Sequence, residues 1–124
     1  MRILLADDQP KVRFALRVLL KRQSGMQVVG EANDAQDLLE QTAQERPDLV
    51  LLGWELPRHS ISALLPSLRS LCPSLSIIAL SGRLEARQVA LDCGADAFVS
   101  KSDPPDRLLA AIQACCQENR DSKS

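Results

Sequence analysis

Apolar positions along the chain alternate between short unbroken blocks, as buried strands require, and longer stretches with helical spacing. Ile3-Leu4-Leu5-Ala6 is the first block. After Asp7-Asp8-Gln9-Pro10, residues Val12, Ala15, Leu16, Leu19 and Leu20 recur along one helical face, with Asp8 as the expected N-cap and Pro10 in the first turn. Gln27–Glu31 is a weaker second strand, and Asn33-Asp34 offers the cap of a helix that buries Ala35, Leu38, Leu39 and Ala43 and ends near Arg46-Pro47. Asp48–Leu52 is the most continuous apolar run, as expected of a central parallel strand covered on both faces. Gly53-Trp54-Glu55-Leu56-Pro57 closes it. Ile61, Leu64, Leu65 and Leu68 mark a third helix with Ser60 as its cap, and Leu75–Leu80 a fourth strand. A short helix over Glu85–Cys93 turns Ala86, Val89 and Ala90 inward and ends at Gly94, placed for a left-handed cap. Ala97–Val99 is the fifth strand. Pro104-Pro105 opens a last helix whose stripe is Leu108, Leu109, Ile112 and Cys115 or Cys116.

Five strands, each followed by a helix and joined by crossovers too long for hairpins, predict an α/β fold: one parallel sheet with helices on both faces. Residues 1–117 read as a single domain, and 118–124 as a polar tail expected to fray.

Composition narrows the function classes. Hydrophobic residues make up 45% and charged residues 25%, enough to bury a core. Fifteen Lys and Arg against sixteen Asp and Glu leave a net charge of -1, so no basic field draws this chain to nucleic acid. Phe14, Trp54 and Phe98 are too few rings for a base-stacking platform. The first apolar run is too short for a signal sequence, and no stretch approaches the roughly 18 apolar residues of a membrane span. A cytoplasmic location and no membrane contact are expected. Cys72, Cys93, Cys115 and Cys116 show no metal spacing and lie far from His59, so they read as reduced thiols.

In a doubly wound sheet, chemistry gathers at the C-terminal ends of the strands. There stand Asp7 and Asp8, a carboxylate pair suited to a hard cation such as Mg²⁺ or, more simply, a helix cap and a solvated acid. Lys101 follows the fifth strand and offers an ammonium to an anion, although exposed lysines are commonly just solvated. Ser81 follows the fourth and offers a hydroxyl, although serine is also an ordinary turn residue. The four inform only together.

In order and spacing, Ile3-Leu4-Leu5-Ala6-Asp7-Asp8-Gln9, Val28-Val29-Gly30-Glu31-Ala32, Arg46-Pro47-Asp48-Leu49-Val50-Leu51-Leu52, Leu56-Pro57 and Cys93-Gly94-Ala95-Asp96-Ala97-Phe98-Val99-Ser100-Lys101 resemble the receiver domains of two-component response regulators. The likeness is strongest to those preceding a DNA-binding helix-turn-helix of the nitrate-regulator, or LuxR-like, type. It spans about Met1 to Gln117 and implies a flavodoxin-like (βα)5 sheet of strand order 2-1-3-4-5. It also implies that Asp7 and Asp8 match an acidic pair that binds Mg²⁺, Ser81 a hydroxyl switch, Phe98 an aromatic switch and Lys101 a phosphate-responding lysine. The fifth part is missing. Gly53 stands where the family's phosphoacceptor aspartate ends the third strand, and glycine has no side-chain atom to attack phosphorus.

The lost carboxylate would also have been a metal ligand. Asp8, Asp7 through water and the Glu55 backbone carbonyl remain, so any Mg²⁺ site is expected to be weak. The Glu55 side chain is expected to point to solvent or over the cleft. Arg58 or His59, in a loop that departs from the family pattern, is a candidate to fold toward the acidic pair, against the simpler reading of two solvated residues. Trp54 is a candidate cover for the cleft or a contact on a binding surface. Phe98, without a hydroxyl, is expected to act by packing alone, or to be an ordinary core aromatic.

The expected function is that of an atypical receiver, not an enzyme, working by protein contacts without aspartyl phosphorylation. The resemblance implies a partner face formed by the fourth helix, fifth strand and fifth helix, meeting a kinase, an output domain or a second copy in a homodimer. Glu85, Arg87, Gln88, Asp92, Asp103, Asp106 and Arg107 would supply its polar rim. The alternatives are the receiver portion of a longer DNA-binding transcriptional regulator and a phosphoreceiver using a displaced carboxylate, Asp8, Asp7 or Glu55. A small nucleotide-binding enzyme is disfavoured, because no phosphate-cradling glycine loop follows the first strand.

Overall fold

The structure, a computed structural model, describes residues 1–56 and 61–123, without the side chains of 61–62 and 116–123. Strands β1 (Arg2–Ala6), β2 (Gln27–Ala32), β3 (Leu49–Gly53), β4 (Ser76–Ser81) and β5 (Ala97–Ser100) alternate with helices α1 (Pro10–Lys21), α2 (Ala35–Glu45), α3 (Ile61–Leu71), α4 (Ala86–Asp92) and α5 (Pro105–Lys123). All strand pairs are parallel, in the order β2-β1-β3-β4-β5. The expected sheet and its order are therefore present.

Alternation along the strands divides the core in two. Leu4, Ala6, Val50, Leu52, Ile77 and Ala79 face one layer, where Leu38 of α2, Leu64, Leu65 and Leu68 of α3 and Ala90 of α4 meet them. Ile3, Leu5, Leu49, Leu51, Ile78 and Leu80 face the other, against Leu20 of α1 and Leu108, Ile112 and Cys115 of α5. Every residue of β3 is buried, which is why its sequence runs apolar without interruption.

Several local expectations are corrected. The cap of α1 is Gln9, without a side-chain cap bond, rather than Asp8. Pro10 fills the first helical position and removes one of the amides a cap would serve. In α2 the cap is Asp34, whose Oδ1 accepts from the Asp37 amide at 2.8 Å. Ala43 faces outward, and Thr42 is buried in its stead, its hydroxyl donating to the Leu38 carbonyl at 2.7 Å. Val89 is 53% exposed, because the seven-residue α4 buries only the i and i+4 alanines, Ala86 and Ala90. Gly94 follows α4 with φ +110°, as the expected cap requires. Ala15 faces outward on α1 rather than into the core. Helix α5 continues to Lys123 through most of the stretch read as a polar tail, which holds neither glycine nor proline to stop it. The Ser60 cap and the Arg58 and His59 side chains lie outside the described residues, as does the Cys116 side chain.

Candidate functional site

Parallel pairing brings the C-terminal ends of β1, β3, β4 and β5 to one edge of the sheet, and with them Asp7, Gly53, Ser81 and Lys101. Asp7 is 1% exposed, held beyond β1 by its amide, which donates to the Ala32 carbonyl at 3.0 Å. Its Oδ1 accepts from the Gln9 amide at 2.9 Å. Asp8, next along, is exposed. The pair that the sequence treats as one unit is thus split between interior and solvent.

Gly53 ends β3 with its carbonyl accepting from the Leu56 amide at 3.1 Å. A Cβ placed on it would lie 2.5 Å from Asp7 Oδ2, 3.0 Å from Asp7 Cγ and 3.2 Å from the Ala6 carbonyl oxygen. The carboxylate of Asp7 thus occupies the room that a side chain at 53 would need. From the far side of the sheet edge, Lys101 Nζ reaches within 2.8 Å of the same Oδ2. The approach is an ion pair, and no described residue donates a hydrogen bond to that oxygen. Lys101 Nζ also donates to Gln9 Oε1 at 3.2 Å. Its backbone is fixed by its own amide donating to the Ser81 carbonyl at 2.9 Å.

Ser81 is fully buried at the end of β4. Its hydroxyl donates to Glu55 Oε1 at 2.5 Å and accepts from the Arg83 amide at 3.0 Å. The Glu55 side chain therefore reaches back over the strand ends while remaining exposed to solvent. Each of the two groups expected to respond to a phosphoryl oxygen is already engaged by a resident carboxylate: Lys101 by Asp7, and Ser81 by Glu55.

Trp54 is half-buried against the α2-α3-α4 side of the core, and its amide donates to the Leu80 carbonyl at 2.8 Å. Its packing partners belong to the core. Phe98 is likewise partly buried against that core. The β5-α5 turn is pinned by the Ser100 amide donating to Asp103 Oδ2 at 3.1 Å and the Ser102 amide donating to Ser100 Oγ at 3.1 Å.

The residues present do not fit the Mg²⁺ site that the resemblance implies. Among the described residues no three His, Cys, Asp or Glu side chains converge on one point. The buried acid faces an ammonium, a fixed positive charge that opposes a second cation, and the Glu55 carboxylate is committed to Ser81. The contacts of Gln9 with both Asp7 and Lys101 escaped the sequence reading, because a glutamine after an acidic pair carries no periodic or motif signal of its own. The seating of Asp7 against Gly53 had a signal, the missing side chain, but its occupant is a matter of packing.

The response regulator receiver domain family matches residues 3–113. The transcriptional regulatory protein YxjL of Bacillus subtilis is 32% identical over 118 residues, covering 94% of this chain and 54% of that protein. The nitrate/nitrite response regulator protein NarL of Escherichia coli is 33% identical over 112 residues, covering 89% and 52%. This chain spans about half the length of the curated relatives it matches. Among solved structures, a LuxR-family two-component response regulator from Aurantimonas superposes with a TM-score of 0.82 at 32% identity, covering 91% of this chain and 82% of that one.

Proposed function

The chain belongs to the response regulator receiver domains, and from that premise we propose that it signals through protein contacts without aspartyl phosphorylation. The observation that carries this reading is the double engagement at the strand ends. Gly53 supplies no nucleophile, and Asp7 and Glu55 hold the two side chains, Lys101 and Ser81, that a phosphoryl group would otherwise recruit. A receiver wired in this way rests in one state of the sheet edge, and its output depends on which partner recognises that state. It catalyses no reaction of its own.

The α4-β5-α5 face is the proposed contact surface for a kinase, an output domain or a second copy. Leu84, just before α4, and Val89 within it are 72% and 53% exposed and are interspersed in sequence with the exposed Glu85, Arg87, Gln88 and Asp92. Exposed aliphatics rimmed by charge are the pattern of a protein contact. Among the described residues no helix is long and apolar enough to cross a membrane.

A second reading is compatible with the first: the chain is the receiver portion of a longer DNA-binding transcriptional regulator. What favours it is that this chain matches about half of relatives described as transcriptional regulators. The DNA contact would then lie outside this chain, whose own charge is close to balanced.

Intact mass after incubation with Mg²⁺ and acetyl phosphate tests the proposal. No mass gain is expected for the parent chain. A phosphoryl adduct on the parent, mapped to Asp7, Asp8 or Glu55, would establish a displaced acceptor and overturn the reading.

A further inference from the structure

Between α1 and the start of α5 lies a cavity of about 320 Å³ that meets the strand-end site at Lys101. Its walls are aliphatic, with Val12, Leu16 and Leu19 on one side and Val99 and Leu108 on the other. The polar residues that line it are Lys11, Ser100, Lys101 and Asp103. Their commitments differ. Asp103 accepts from the Ser100 amide at 3.1 Å, and Lys101 holds Asp7 and Gln9. Lys11 is exposed and pairs with no described residue. With Lys101 balanced by Asp7 at 2.8 Å, Lys11 is the one uncommitted cation at the margin among the described residues.

From this geometry we infer a ligand site for a small aliphatic monocarboxylate, its chain between α1 and α5 and its head group at Lys11. The volume lies at the lower end of the roughly 300–1,000 Å³ usual for small-molecule sites, and the lining holds no aromatic face on which a ring would stack. An uncharged amphiphile would satisfy the walls and leave Lys11 as it is. A phosphate or other hydrophilic anion would satisfy Lys11 and leave the walls wet. A carboxylate with an aliphatic tail matches both features. The site is separate from the acceptor position, so it exists whether or not the chain takes up a phosphoryl group.

The test is a titration of the ¹⁵N-labelled chain followed by amide chemical shifts, with octanoate as the probe and octan-1-ol as its uncharged counterpart. Saturable shifts are expected at amides bordering the cavity, such as Ala15, Leu19, Val99 and Leu108. Octanoate is expected to bind about three- to fivefold more tightly than octan-1-ol, the scale of one exposed charge pair. Lengthening hexanoate to octanoate tightens binding by up to about fourfold per CH₂. Lys11→Gln brings octanoate to the level of the alcohol. Ala15→Phe, at an exposed position on the cavity margin, blocks both probes without changing the thermal midpoint. Shifts that do not saturate, that scatter over the surface, or that are equal for acid and alcohol in the parent would overturn the assignment.

Discussion

A carboxylate buried to 1% needs a counter-charge, and in this protein Lys101 supplies it. Removing a cation from a buried pair costs more than the pair itself contributes, because the stranded charge keeps its desolvation penalty. Lys101→Met is therefore expected to lower the unfolding free energy by about 3 kcal/mol, the low end for such pairs because a fifth of the lysine side chain (21%) remains in water. Adding Asp7→Asn should restore most of that loss, since the amide oxygen still accepts from Gln9 while the orphaned charge is gone. Urea unfolding of the parent, the single variant and the double variant reads this directly. A Lys101→Met variant as stable as the parent would mean that water, not Lys101, compensates Asp7. The sequence allowed the identities of Asp7, Ser81, Gly53 and Lys101 to be read, because each sits at a strand end that hydrophobic blocks locate. It did not allow their pairing to be read. Which oxygen meets which nitrogen depends on the space at Gly53, and a missing side chain says nothing about what moves into it.

At the scale of elements, hydrophobic period located every strand and helix, while exposure and capping were less legible. Two acids each precede a helix, Asp8 before α1 and Asp34 before α2, and only one of them caps. The difference is Pro10: a proline in the first helical position moves the cap to Gln9 and leaves Asp8 out in solvent. Asp34→Ala should accordingly cost about 1 kcal/mol, the usual worth of a side-chain cap. Asp8→Ala should leave the urea midpoint where it is. Equal losses from the two would show that Asp8 serves α1 after all. The outward turn of Val89 has a similar local cause. A helix of seven residues has too little face to bury three apolar positions, and its two alanines fit the close approach to the sheet.

Considered whole, the molecule has the scaffold of a response regulator receiver domain with a glycine at the end of β3. A ligand shifts a conformational equilibrium only by the difference in its affinity for the two states. On the proposed reading, with no carboxylate at 53 and with Lys101 and Ser81 already held, a phosphodonor with Mg²⁺ has no such difference to act on. Trp54 adjoins the vacated position and is the only tryptophan, so its emission reports on that edge alone. Trp54 fluorescence and the sedimentation coefficient of the parent chain are therefore expected to stay constant on addition of Mg²⁺ and acetyl phosphate. In Gly53→Asp the new Cβ must displace the Asp7 carboxylate, because 2.5 Å is closer than two such atoms can approach. The same additions should then change Trp54 emission. A response in the parent as large as that in Gly53→Asp would place the switch in residues other than the glycine, and with it the signal that this domain receives.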